Sequence, residues 1–431
     1  MPPGPGGADL RPWPLSGAVS RLGAHSDRGF PSMRRTRAMI GIGIALVVIA
    51  AGVRFIAAPA FIRFPLGIDR HYTYTGDVTT IANPLTLAPV TLPSGAPLTI
   101  DRQIKVVSGS YSTAVVQETD TLKFAGRSST ETYQYALDRR SMKMQNGSDT
   151  YAFGNPANAM HVNSSYRVNL PLGASSSSTY QGFTPQSDSL SPLRPQGAAH
   201  HDPVSDSTVI TYAFSTDHPV APYYLAHLHS MGFPASLSPA AAAADLRAHG
   251  VDVGGLLGSL RARLTPGQLA TLTAILAKPV PLNYTYFAKG TVGVDPTTGA
   301  VVNSTASREG VAVSPNLAAY ASLAPILSRL SGLPAVQSFG KALQGFASAP
   351  AIPVLTFNYA QTSASARSAA SDASSQATMI SLLDWWLPIG LAALGVILII
   401  VGWFTRPRKR PQVAAAKPSP TPQPEEPKLP V

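Results

Sequence analysis

Two long apolar runs, one near each end of the chain, limit what this sequence can fold into more than anything else in it. Arg34, Arg35 and Arg37 precede the run 38–53, Arg54 interrupts it, and 55–62 resumes it. Near the other end Trp385 and Trp386 precede the uncharged run 387–401, Trp403 follows, and Arg406, Arg408, Lys409 and Arg410 come next. A hydrocarbon core of about 30 Å needs roughly 20 helical residues at 1.5 Å each. The run 38–53 is shorter than that, so the first span is expected to take in Arg54, whose long side chain reaches back to the interface. Basic clusters stay on the cytoplasmic side. Both termini are therefore expected inside a plasma membrane, with residues 63–384 outside it. A secretory signal peptide begins with the same basic and apolar stretches, but no small-x-small cleavage site follows here, which favours an uncleaved anchor.

The formal net charge is +11, and its distribution decides what it means. Residues 1–62 carry seven Lys/Arg against two Asp/Glu, residues 384–431 six against three, and residues 63–383 twenty against seventeen. The middle of the chain is nearly neutral and has no Lys/Arg clusters interleaved with aromatics, so nucleic acid is not an expected partner. Cysteine is absent. That excludes disulfides, zinc–thiolate sites, iron–sulfur clusters and thiol nucleophiles together.

Between the two runs, short segments alternate with the strand period: 71–75, 104–107, 111–116, 132–137, 208–214, 284–287 and 354–359. Turn residues separate them, as in an antiparallel sheet packed on one face. Ser238 before Pro239, Gly250 after that stretch, and Thr265 with Gln268 around Pro266 punctuate a helical insert. The expected fold class is α+β, a mainly antiparallel β ectodomain with a helical insert, flanked by two transmembrane helices. The expected division is a disordered basic start 1–37, with Met33 as the start of translation, a span over 38–62, and β-rich parts 63–230 and 281–360. The insert covers 231–280, helices 314–348 belong to the second β part, and a Ser/Ala stalk covers 361–383. The second span is 384–404, and a basic, then Pro-rich tail fills 405–431.

Two segments 157 positions apart resemble each other, Leu137–Asn146 and Val294–Asn303. Each reads as strand, Asp-led turn, strand, and reuse of one cheap turn explains that more simply than an internal duplication. Those segments, with Tyr166, Pro171 and Tyr180 and the stretch from Tyr359 to Arg410, make the chain resemble an actinobacterial envelope family of unknown function sometimes labelled the porin PorA family. The resemblance runs from Met33 to about Arg410 and implies a bacterial cell-envelope protein with two anchoring helices. The chain departs from the family pattern in its long N-terminal extension and in the Ser-rich 174–179. A β-barrel pore needs lipid-facing strands and no long apolar helix, so the resemblance does not by itself imply a pore.

No catalytic, cofactor-binding or metal-binding residue is expected. Ser338 and Lys341 match a Ser-x-x-Lys spacing, but no Lys-Thr-Gly follows, so they read as ordinary helix positions. His200, His201, His218, His227 and His229 cluster in sequence, and His227 and His229 would share a face on a strand. No carboxylate has matching spacing, so solvated loop histidines are expected. Asn146, Asn163, Asn283 and Asn303 begin chance Asn-x-Ser/Thr sequons. Tyr72, Tyr74, Tyr133, Tyr135, Tyr212, Phe214, Tyr284 and Tyr286 alternate along strands. They make either a solid β core or the lining of an apolar pocket of several hundred Å³. The expectation is a non-enzymatic envelope protein that binds or hands on a lipid or glycolipid, with a scaffolding partner of envelope proteins as the alternative; a cell-wall enzyme or a porin ranks below both.

Overall fold

A computed structural model of the chain describes residues 32–83, 88–248, 250–321, 323–348 and 350–405. Of the expected disordered start 1–37, residues 1–31 lie outside those residues, while 32–37 are helical; the Arg406–Arg410 cluster with its tail also lies outside. The chain divides into two compact units, Met1–Val53 with Leu387–Val431, and Arg54–Trp386.

In the first unit α1 (Ser32–Gly52) and α11 (Leu387–Phe404) pack antiparallel. Where they cross, the residues are glycines. A Cβ on Gly43 would sit 2.6 Å from the carbonyl oxygen of Gly395, one on Gly395 equally close to that of Gly43, and one on Gly402 2.7 Å from Ile40 Cγ1. Helices in lipid gain little from apolar burial, so close backbone approach at small residues is what associates them. The helical run Thr36–Ala60 has 25 residues. At 1.5 Å per residue it measures about 37 Å, enough to cross a bilayer.

The second unit begins and ends in a π-helical turn, Val53–Ala57 running into α2 (Ala58–Phe61), and Leu382–Trp386 after α10 (Ser363–Ser381). The two turns hold one another through Arg54. Its guanidinium pairs with the Asp384 carboxylate, donates to the Asp384 carbonyl oxygen at 2.7 Å, and lies 4.7 Å over the Trp385 ring. Arg54 thus has a partner of opposite charge, not only the interface. In α10 the residues Ala366, Ala369, Ala370 and Ala373 are buried against β1 and β13. The Ser/Ala segment is a helix laid on the sheet.

The strands are β1 (Asp69–Ala82), β2 (Pro89–Gly109), β3 (Thr113–Phe124), β4 (Arg127–Asp138), and the short β5 (Met144–Gln145) and β6 (Tyr151–Ala152). Then come β7 (Tyr180–Thr184), β8 (Ser189–Pro195), β9 (His200–Asp202), β10 (Ser207–Pro219), β11 (Ser236–Leu237), β12 (Val280–Val294), β13 (Val301–Pro315) and β14 (Ile352–Gln361). They form one sheet in the order β5-β4-β3-β2-β1-β14-β13-β12-β10-β8-β7, with β6, β9 and β11 paired off that path. The first and last long strands meet in its middle, Tyr74 opposite Gln361 and Ile81 opposite Leu355.

Alternation drives the pairing. On β12 Leu282, Tyr284, Tyr286 and Ala288 face in, while Asn283 and Lys289 face out. On β2 and β3 the outward residues are Thr99, Asp101, Gln103 and Lys105, and Gln117, Thr119, Thr121 and Lys123. Register shifts at Val78/Thr80, Val106/Ser108, Lys289/Gly290 and Ala306/Glu309 mark bulges that curl the sheet. At Gly76 and Gly310 neighbouring strands come so near that a Cβ would lie 1.9 Å from the carbonyl oxygens of Asn358 and Leu355. The α+β class, with a curled antiparallel sheet flanked by two apolar helices, is the one read from the sequence.

Helices α3 (Pro222–Ser230), α4 (Pro239–Ala248), α5 (Val253–Arg261), α6 (Pro266–Leu276), α7 (Ala318–Ala321), α8 (Ala324–Arg329) and α9 (Pro334–Ser348) complete the unit. Ser238 Oγ accepts from Ala241 N at 3.1 Å, and Thr265 and Gln268 form the capping box. Leu256, Leu260, Leu272, Leu323 and Phe339 bring α5, α6 and α9 around a second core. The Asp-led turns share one construction. Asp138 accepts from Arg140 N and Ser141 N, and Asp295 from Thr297 N and Thr298 N. In both, the fourth residue on, Met142 or Gly299, has positive φ. Asp202 builds the turn a third time on Val204 N and Ser205 N, with Asp206 at positive φ. Three uses favour a recurring turn over a duplicated unit.

Candidate functional site: a cavity with a polar waist

The curled sheet encloses a cavity of about 800 Å³, within the 300–1,000 Å³ typical of ligand sites. Native interiors otherwise leave few voids larger than a water. Ile81, Val90, Leu122, Phe124, Leu355 and Phe233 line one end, and Leu170, Leu193, Val292 and Val301 the other. The first end is the mouth, where the lining residues Asn83, Val90, Arg127, Ser128 and Met231 are exposed. It lies at the strand ends far from Asp69 and Gln361, where the chain enters and leaves the sheet.

Polar groups ring the waist. Arg102 donates to both carboxylate oxygens of Asp120, at 2.8 and 3.1 Å, and Asp120 stands opposite Glu131 in register. Glu131 accepts from Tyr133 at 2.6 Å, Tyr224 at 3.2 Å and Gln186 at 3.2 Å. The Tyr224 ring meets the Tyr286 ring edge-on at 6.4 Å. Tyr286 and Tyr359 donate to Glu309 at 2.6 and 2.9 Å. The Tyr359 ring meets Tyr74 at 5.3 Å, and Arg102 lies 5.4 Å over Tyr74, which closes the ring. Beside it Arg167 grips Glu118 at 2.7 and 3.1 Å, with Tyr135 donating to the same carboxylate at 3.2 Å.

The electrostatics follow from who faces whom. Burial would raise the Glu118 carboxyl, but Arg167 and Arg102 outweigh it and hold the group at about 2. Burial and then Glu118 push Asp120 upward, so of the two carboxylates on Arg102 it takes a proton first. Burial lifts Glu131 to about 7 despite its three hydrogen bonds, and the facing Asp120 adds to the rise. Burial raises Glu309 as well, against its two tyrosine hydrogen bonds and the opposing pull of Arg102 and Arg167. The tyrosines are raised by burial, Tyr74 to about 12, and remain donors. Two guanidiniums are thus gripped by Glu118 and Asp120, and burial pushes the other two acids, Glu131 and Glu309, above their ordinary range.

Of the eight aromatics read from strand alternation, Tyr72, Tyr74, Phe214 and Tyr286 line the cavity. Tyr133, Tyr135, Tyr212 and Tyr284 are buried around it. The charged waist was not anticipated, yet it has a sequence signal. Arg102 lies between Ile100 and Ile104, Glu118 and Asp120 lead to Leu122, and Glu131 precedes Tyr133 and Tyr135, all on the inward phase of alternating strands. His227 and His229 sit on α3, not on a strand or a loop, because Pro222 opens a helix there. His227 stacks on Phe153 at 4.6 Å, and burial lowers its pKa. Ser338 and Lys341 are exposed positions of α9.

The family model described as Porin PorA matches residues 37–404. A search of the curated proteins finds no match.

Proposed function

The chain belongs to the porin PorA family, and from that premise we propose that it is a non-enzymatic, two-pass protein of a cell envelope whose outer domain binds or hands on a lipid or glycolipid. The carrying observation is the cavity of about 800 Å³ with apolar ends and a polar waist inside the curled sheet. An amphiphile needs both kinds of wall. Both termini are cytoplasmic and residues 63–384 extracytoplasmic in this reading, supported by the basic flanks of two membrane-length helices. The family's name suggests a pore. Against that stands the outer face of β2 and β3, whose Thr, Gln, Asp and Lys side chains would have to meet lipid in a barrel.

Purification in mild detergent followed by mass spectrometry of extracted lipid tests the reading. Bound lipid is expected in the full chain and less of it in Ala288→Phe, which fills space at the waist. Protein free of lipid, with Ala288→Phe destabilised by about 1–3 kcal/mol like an overpacked core, would end it and leave scaffolding of envelope proteins. A reporter active only in the cytoplasm should work after Arg410 and fail near Ser187; the opposite result overturns the orientation.

A further inference from the structure

The waist sorts ligands by charge and by where their polar part lies. We infer, resting on the lipid-binding reading, that the cavity takes an uncharged, hydroxyl-bearing amphiphile with apolar arms on both sides of its polar part, and turns away lipids with anionic heads.

Position along the strands carries the first half. From the girdle residues Tyr74, Asp120 and Tyr359, the inward positions toward the mouth are Ile81, Leu122 with Phe124, and Leu355. In the other direction, from Tyr286 on β12 and back from Glu309 on β13, they are Val292 and Val301. The polar ring therefore divides two apolar compartments, and an occupant that fills both must carry its polar atoms in the middle.

Charge carries the second half. Each guanidinium already has a two-point grip on a carboxylate, Arg102 on Asp120 and Arg167 on Glu118. Glu131 and Glu309 add acid groups held by neutral donors, three on Glu131 and two on Glu309. An entering phosphate or carboxylate would find both waist guanidiniums already engaged by Asp120 and Glu118, and would leave water without an uncommitted waist cation among the described residues to compensate it. A hydroxyl meets acceptors and donors instead. One hydroxyl of the lining points to such a group: Thr216 Oγ1 is buried, lines the cavity in the same cross-strand row as Ala288 and Glu309, and has no hydrogen-bond partner among the described residues.

Two probes with identical arms separate the possibilities, dioctanoylglycerol and dioctanoyl phosphatidic acid. Binding of each to the delipidated full chain in detergent is followed by native mass spectrometry and by thermal stabilisation. The glycerol compound is expected to bind at least tenfold tighter. Asp120→Asn, which removes one of the two carboxylates on Arg102 and leaves only Glu118 at 3.3 Å, should narrow that gap at least threefold by improving the phosphate compound, with its folding checked by its unfolding temperature. Equal or tighter binding of phosphatidic acid by the unaltered chain overturns this inference and leaves the lipid-binding reading standing. Binding of neither probe by a chain that also purifies without lipid overturns both.

Discussion

Glu131→Gln is expected to change how stability depends on pH. In the folded chain burial lifts the Glu131 carboxyl from 4.5 to about 7, and the side chain is 5% exposed. Between those pH values the folded protein keeps a proton that the unfolded chain has already released. The stability associated with this group is therefore fully present below pH 4.5, falls as pH rises to about 7, and is constant above it. At about 1.4 kcal/mol per pH unit the loss amounts to about 3 kcal/mol. Glutamine removes the titration and keeps the shape of the protonated acid. Relative to the parent, Glu131→Gln should gain nothing at pH 4.5 and about 3 kcal/mol at pH 7.5, an upward shift in Tm on the order of 5 °C. Unfolding of both proteins in detergent at those two pH values, followed by circular dichroism, measures it. Parallel pH profiles for parent and variant would refute the reasoning, because they would place Glu131 in contact with water or a cation.

Three further outcomes follow from the geometry. Arg167→Met leaves the Glu118 carboxylate, 1% exposed, short of its two-point partner, and should cost about 3–5 kcal/mol in denaturant unfolding; a loss under 1 kcal/mol would mean that Arg102 alone suffices. Gly395→Leu puts side-chain atoms where the Gly43 carbonyl lies 2.6 Å from a Cβ, and should lower recovery of intact protein from membranes, while Gly390→Leu, with open space around it, should not. Asp138→Ala and Asp295→Ala each remove equivalent backbone caps and should each cost about 1 kcal/mol in thermal unfolding; costs differing by more than twofold would show that the two turns are not equivalent.

Much of the fold was legible because strand alternation is a local signal. The segments 71–75, 132–137 and 284–287 each fall inside longer strands, and Thr265 with Gln268 announced the start of α6. The cavity was less legible. A lining residue and a core residue occupy the same phase of a strand, so Tyr74 and Tyr133 look alike until the curl of the sheet is known. In composition the waist charges vanish into a nearly neutral middle section; only their phase, which sets Arg102 and Glu118 among inward apolar residues, marks them. The partnership of Arg54 with Asp384 joins residues 330 positions apart, and no periodicity reports a contact of that range.

The central seam of the sheet pairs its first long strand with its last, and that order has a cost in time. At roughly 5–20 residues per second, the chain between Ile81 and Leu355 takes on the order of tens of seconds to emerge from a ribosome. During that interval β1 can pair with β2 through local contacts, but its other edge stays open, because β14 does not yet exist. An unpaired edge beside a half-formed apolar hollow is a template for misassembly. Long-range pairing is also the slowest kind to form. The strand that completes the hollow is therefore a late arrival, and a chain cut short before Ile352 would present both its unfinished edge and its future lining to whatever it meets.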